Sequence, residues 1–494
     1  MDLLKVIPIF VASIFFMEAS HILWLIVGYF VLLIGVSYFT SKNSTNADFF
    51  KASRQSPWYL VAFGMIGASL SGVTFISIPG TVEFDSFSYF QVVLGYIVGY
   101  AVIGTVLLPL YYKLNLTSIY TYLATRFGNY SYKTGASYFI LSRLIGASFR
   151  LFLVAKVLQL LVFDPLEIPY FVTVTLTVLL IWLYTFKSGI KTIVWTDSLQ
   201  TLFMLIALGV GIYSLSESLQ IDTSLWTYLK THSDFQVFFW EDIKSANYFW
   251  KQFLSGAFIA IVMTGLDQDM MQKNLTCRNL KDAQKNMFWF TIVLTIVNFL
   301  FLLLGLLLAD YALSHGVTAK RDDLFPTIAL SGELGILIGV TFILGLVAAA
   351  YSSADSALTS LTTSISIDLI EIEKRFQQKK QERIRKLIHI GVSLVFILVM
   401  LLFQYAIKDK SIIIKLFEFA GYTYGPLLAL YAIGIFTKWK LYDKLVPIIA
   451  VLAPILTYFT SWFMAKQFNF EFGFFVLLLN AFFTFLGLVL LRRK

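Results

Sequence analysis

Apolar runs broken by short polar connections repeat along this whole chain. Thirteen of them lie at about 22–39, 58–80, 89–112, 136–162, 168–186, 192–216, 249–272, 286–309, 334–364, 387–405, 412–437, 444–465 and 471–491. A helix needs about 20 apolar residues to cross the hydrocarbon of a bilayer, and it satisfies its own backbone polar groups there. The pattern predicts an all-α integral membrane protein with about 13 transmembrane helices. Composition agrees: 58% of the 494 residues are hydrophobic and 14% charged, and the mean hydropathy is +0.77. No soluble domain is expected before or after the spans. Residues 3–17 are apolar but short. They read as a fourteenth span, a signal-like segment, or an extension (1–16) of a chain that starts at Met17.

Polar side chains inside such runs are costly in hydrocarbon and mark working positions. In span nine, Ser352, Ser356, Thr359 and Thr363 fall at i, i+4, i+7 and i+11, one helix face that Ser353 and Ser360 widen. Hard hydroxyl oxygens suit a small cation or a polar solute. Small residues there also let helices pack closely. Span two holds Gly64, Gly67, Ser69, Ser71, Gly72, Thr74 and Ser77, then Pro79 and Gly80, which is a poor helix. A span broken in mid-bilayer frees backbone carbonyls, tolerated where they line a cavity. In inverted-repeat transporters such carbonyls bind Na⁺ near the midplane. Close packing by small residues accounts for the same run.

Asp197 and Gln200 share a face at the start of span six. Asp197 reads either as a helix N-terminal carboxylate or as negative charge beside a cation site. At the end of span seven, Thr264, Gly265 and Gln268 read as cavity wall, and Asp267 and Asp269 as cytoplasmic interface. In span four Arg143 and Arg150 stand two turns apart, about 10 Å along the axis. Intramembrane arginines face a cavity or a counter-charge, and a guanidinium grips a carboxylate with two parallel hydrogen bonds. Arg143 is therefore the candidate for holding an anionic substrate, with Arg150 second. The alternative pairs one arginine with an internal carboxylate such as Asp355 or Asp197, or lets Arg150 snorkel. Lys156 points off this face.

The net charge of +9 is a topology signal rather than a nucleic-acid footprint. The connections 40–57, 113–135, 187–191, 273–285, 365–386, 438–444 and 492–494 hold 25 Lys and Arg, and the alternate set holds eight. Positive loops stay in the cytoplasm. This puts the C-terminus inside and, with thirteen spans, the N-terminus outside. The outside loop 217–248, with Trp226, Phe238, Phe239 and Trp240, is expected to carry a short interfacial helix, and the inside stretch 368–386 a solvated one. The lone Cys277 excludes an intrachain disulfide. The four histidines have no metal-site spacing, no phosphate-binding glycine loop is present, and no paired acid and base suggest an enzyme.

Six stretches, in order, resemble the sodium:solute symporter family, which includes the sodium/glucose, sodium/proline and sodium/iodide symporters. They are Ala68–Thr74 with Pro79–Gly80; Leu116–Leu123 with Arg126–Gly128; Ile193–Asp197 with Gln200; Gly265–Asp269 with Gln272; Ser352–Ser356; and Gly421–Pro426. The resemblance implies a leucine-transporter-like five-plus-five inverted-repeat core, with discontinuous first helices in each repeat. The repeats would span 58–216 and 249–437, flanked by 1–57 and 438–494. It implies a sodium site between spans two and nine, formed by the backbone of Gly67, Leu70 and Ala349 and the hydroxyls of Ser352 and Ser353. Asp197 lies near it and, with Ser352 or Ser353, would support a second sodium. The family's sugar-gripping residues are not matched, since Val73 and Thr74 stand in their place, and Arg143 loosely matches an arginine of carboxylate-transporting members.

The resulting expectation is a sodium-coupled symporter in the cytoplasmic membrane, importing a small, anionic solute. Na⁺ is the coupling ion, and Ser69, Ser71, Thr74, Arg143, Thr264 and Gln268 are the substrate candidates. Two rivals fit the same composition: a facilitator whose flux ignores sodium, and a membrane receptor that binds solute without moving it.

Overall fold

The computed structural model describes residues 19–41, 46–186, 189–406 and 412–493; the segment 3–17 and the start at Met17 lie outside them. The helices in order are α1 (Ala19–Thr40), α2 (Trp58–Ser69), α3 (Gly72–Asp85), α4 (Tyr89–Val102), α5 (Asn129–Leu158), α6 (Tyr170–Thr185), α7 (Ile190–Ser218), α8 (Phe249–Ala260), α9 (Gln268–Asn274), α10 (Leu280–His315), α11 (Ile336–Ser364), α12 (Gln378–Ala406), α13 (Ile412–Phe436), α14 (Val446–Phe468) and α15 (Val476–Leu490), joined by shorter helical pieces. Among the described residues ten helices are long and apolar enough to span, or twelve if two bent pairs each count as one. The shorter apolar α6 completes the thirteen expected spans.

The two bends fall in spans two and seven. α2 and α3 meet at 54°, and α8, extended to Gly265, meets α9 at 69°. The first break runs through Leu70 and Ser71, whose ψ values of 72° and 169° leave the helical range. The glycine- and serine-rich run around them has little helix propensity to resist this. At the second break Asp267 is extended and caps α9, its Oδ1 accepting the amides of Asp269 (2.9 Å) and Met270 (3.4 Å). The carbonyls freed there are satisfied by phenols: Tyr111 donates to Gly265 (2.8 Å) and Tyr120 to Leu266 (2.9 Å).

Glycine sets the closest approaches. A Cβ on Gly67 would lie 2.2 Å from Thr201 Oγ1 of α7, so only hydrogen fits. That closeness lets Thr201 donate across the interface to the Phe63 carbonyl at 2.8 Å. α4 and α8 touch in the same way, where a Cβ on Gly256 would meet the Val92 carbonyl at 2.0 Å. The hydroxyl-bearing half of α11 is buried on all sides, whereas α12, α14 and α15 turn Leu, Ile and Phe outward to the lipid.

The loop 217–248 carries the expected helix, Leu225–Thr231, which bears the exposed Trp226. The stretch 368–386 differs. It holds one turn, Ile372–Arg375, and α12 then begins at Gln378, nine residues before the apolar run at 387. Lys379, Lys380, Glu382 and Arg383 on the first turns of α12 are exposed, so hydropathy alone misses them, whereas Arg385 is buried against Phe49.

Candidate functional site

Between the two broken spans lies a cavity of about 80 Å³, room for several waters or a small solute. The break in span two supplies Ala68, Ser69, Leu70, Ser71 and Thr74; α5 supplies Arg143 and Arg150; the end of α8 supplies Met263 and Thr264. Of the six substrate candidates, Ser69, Ser71, Thr74, Arg143 and Thr264 line this space. Gln268 does not. Its amide clamps the loop before α5's preceding turn, donating to the Thr117 carbonyl and accepting from the Ile119 amide, each at 2.9 Å. The wall also contains Tyr89, Tyr96, Tyr100 and Asn298, which sequence reasoning missed. No periodicity separates such residues from ordinary core aromatics.

The two arginines differ in their surroundings. Arg143 is paired directly with Asp269 and lies 3.9 Å from Asp267. Tyr424 donates to that same Asp267. Asp267 and Asp269 are thus buried (0% and 1% exposed) rather than interfacial. The reason is the bend: it turns α9 inward and delivers both carboxylates to α5. Arg143's partner is therefore neither Asp355 nor Asp197. Arg150 lines the same cavity, is 9% exposed, and among the described residues has no acidic side chain within ion-pairing distance. Its Nε has no hydrogen-bond partner.

The hydroxyl stripe of α11 meets the break of span two and α7. Ser353 Oγ donates to the Ala68 carbonyl at 3.4 Å, one residue beyond the Gly67 carbonyl expected to ligate. Gly67 itself is pressed against Thr201. Ala349, Ser352 and Ser353 are fully buried. A Ser hydroxyl that donates one bond keeps two lone pairs. Carbonyl and hydroxyl oxygens of this kind are the hard donors a sodium ion takes. No group of three His, Cys, Asp or Glu is placed to hold a metal among the described residues. Asp197 stands behind this cluster: Ser352 donates to its Oδ1 (2.7 Å) and Ser356 to its Oδ2 (3.4 Å).

Lys273 overturns another expectation. Sequence charge counting places it in a cytoplasmic loop, yet it is 1% exposed, with Nζ 2.6 Å from Asp197 Oδ2. It ends the inward-turned α9, so the same bend explains it.

The chain is similar to several known proteins. The chain is 25% identical to the sodium/sialic acid symporter SiaT of Proteus mirabilis over 455 residues, 86% of each chain. It is 24% identical to the sodium/sialic acid symporter NanT of Aliivibrio fischeri, over 86% of this chain and 85% of that one. Human sodium-coupled monocarboxylate transporter 1 is 25% identical, with 81% and 66% covered. Among solved structures, a substrate-bound, outward-open Na⁺-coupled sialic acid symporter superposes with a TM-score of 0.76 at 19% identity, over 95% of this chain and 97% of that one. Mhp1, a nucleobase-cation-symport-1 family transporter, gives 0.52 at 13%, over 89% and 92%. The solved structures establish the leucine-transporter-like fold, and with the apolar helices a multi-pass membrane architecture. The profile of one family matches residues 49–441, and the chain belongs to it: the sodium:solute symporter family.

Proposed function

We propose that this sodium-coupled symporter imports a small organic anion, most simply a carboxylate, and that Arg150 is its counter-charge. The observation that carries the reading is the contrast on α5. Arg143 is neutralised from within by Asp269 and Asp267, whereas Arg150 enters the cavity with no ion-paired carboxylate among the described residues. A buried cation without a partner is costly, and an anionic ligand removes that cost. Ser69, Ser71 and Thr74 offer hydroxyls to the rest of the solute. The relatives support the class of substrate, since their names specify sialic acid or monocarboxylates.

Sodium is read at the junction of span two and α11, held by carbonyls of Ala68, Leu70 and Ala349 and by Ser352 and Ser353. The broken backbone lies in both the ion junction and the cavity wall. An ion that fixes the break therefore also fixes Ser69 and Ser71, a coupling free energy between two sites. The repeats are read as 58–216 and 249–437, and the C-terminus as cytoplasmic.

The test is thermal unfolding of the detergent-purified protein against NaCl, with choline chloride at matched ionic strength. A ligand that binds only the folded state adds RT ln(1 + [L]/Kd), about 2.7 kcal/mol at a hundredfold excess. Saturable stabilisation by sodium is expected, with a further increment from lactate, pyruvate or sialic acid that Arg150→Gln abolishes. Stabilisation by neutral solutes and none by anions would overturn the substrate class.

A further inference from the structure

Far from the cavity, near the start of α12, Arg385 is 3% exposed, and its Nε and Nη1 have no hydrogen-bond partner. Its guanidinium lies over the Phe49 ring, 4.1 Å from the centroid. Phe49 belongs to the short helix Asn46–Lys51. The polar groups around them are already engaged. Glu382, one turn earlier, pairs with Lys386 at 2.6 Å. His389, one turn later, has both ring nitrogens against hydroxyls, Nδ1 at 2.9 Å from Thr362 and Nε2 at 3.2 Å from Thr185 of α6. Asp48, next to Phe49, accepts from Ser53 at 2.7 Å and faces Lys191 at 3.9 Å. Lys386 adds a second cation, over the Phe186 ring at 5.5 Å. The level in the membrane is also marked. Lys379, Lys380 and Arg383 are exposed just before Arg385, and Leu387 and Ile390 just after it. Arg385 therefore lies where water gives way to hydrocarbon, at the depth of the lipid headgroups.

We propose that Arg385 anchors a phosphate-binding site at the junction of α12, α6 and the Phe49 helix, taking the phosphate of an anionic phospholipid or free phosphate. A buried guanidinium without a partner is costly. Its planar fork matches two phosphate oxygens with parallel hydrogen bonds. Basic pockets between membrane helices at this depth suit anionic headgroups. Among the described residues no carboxylate is ion-paired with Arg385, so the charge balance favours an anion. A zwitterionic headgroup would bring its own cation beside Lys386, which favours phosphatidylglycerol over phosphatidylcholine. The site uses neither the cavity nor the sodium junction.

Thermal unfolding of the full-length, delipidated protein in detergent tests this, because a ligand of the folded state raises stability saturably. One arm titrates phosphatidylglycerol against phosphatidylcholine. The other titrates sodium phosphate against sodium chloride, without lipid, at matched sodium concentration and ionic strength. Saturable stabilisation by phosphatidylglycerol alone assigns the lipid headgroup; stabilisation by phosphate assigns the free anion. In either case Arg385→Gln should lose the added stability. Arg383→Gln removes one charge from the exposed surface of the same helix and should keep it. Arg385→Lys retains the charge without the fork and should bind more weakly than the wild type. It decides alone where Arg385→Gln yields no folded protein, and unchanged affinity in it overturns the proposal. So does a wild type that responds to neither ligand, or equally to phosphatidylcholine. A folded Arg385→Gln that responds like the wild type, or an equal loss in Arg383→Gln, also overturns it.

Discussion

Seven residues apart on α5, Arg143 and Arg150 both reach the cavity, but among the described residues only Arg143 is ion-paired with carboxylates. Their removal should therefore have different consequences. Arg143→Gln strands Asp269 and Asp267 in the interior, and breaking a buried pair costs about 3–5 kcal/mol. A large fall in melting temperature is expected, partly recovered by adding Asp269→Asn. Arg150→Gln removes a cation that has no ion pair among the described residues, so stability should hold or rise while stabilisation by organic anions disappears. Equal loss of stability in both single variants would contradict this division. At the ion junction, Ser353→Ala removes one oxygen aimed at the broken backbone. The sodium half-saturation should rise about tenfold, equivalent to about 1.4 kcal/mol; an unshifted titration would remove Ser353 from the site. The arginines and the serines were legible as residue types out of place in hydrocarbon. Their partners were not. Asp269 is 126 positions from Arg143, and Lys273 is 76 from Asp197, so no local spacing links them.

At the scale of elements, breaks and glycines carry the site. The break in span two was readable because its Gly and Ser run weakens a helix and its polar side chains have no use on a lipid face. The bend after α8 was legible only through family resemblance, since Asp267 and Asp269 look like ordinary interfacial acids until α9 turns inward. The α2–α7 contact gives a direct test. Gly67→Ala inserts a methyl 2.2 Å from Thr201 Oγ1, and overpacking of this sort costs about 1–3 kcal/mol. Because Gly67 precedes the Ala68 carbonyl, sodium stabilisation should weaken as well. Thr201→Ala in the same chain opens the space, so the double variant should be more stable than the sum of the singles predicts. Strict additivity of the melting shifts would show that this contact does not set the helix spacing.

Over the whole molecule, the loop charges argue for one orientation. Removing the buried Lys273 from the cytoplasmic count lowers it by one, and the asymmetry against eight survives. The topology that follows puts Ser233, in the loop with helix Leu225–Thr231, outside, and Lys379, on the first turn of α12, inside. The chain itself supplies a quiet background for testing this. Cys277 is fully buried, and burial pushes its thiol up to about 12. The thiolate is the species that reacts, so native protein should resist alkylation until it is denatured. Ser233→Cys and Lys379→Cys can then be placed in the wild-type sequence, both at exposed positions. In intact cells a membrane-impermeant maleimide should label Ser233→Cys and leave Lys379→Cys untouched, and inside-out vesicles should reverse the pattern. The reversed result in cells would invert every loop at once. The solute would then meet the opposite ends of the two broken spans first, although an inward sodium gradient would still drive uptake, because a symporter moves ion and solute the same way whichever end faces outward.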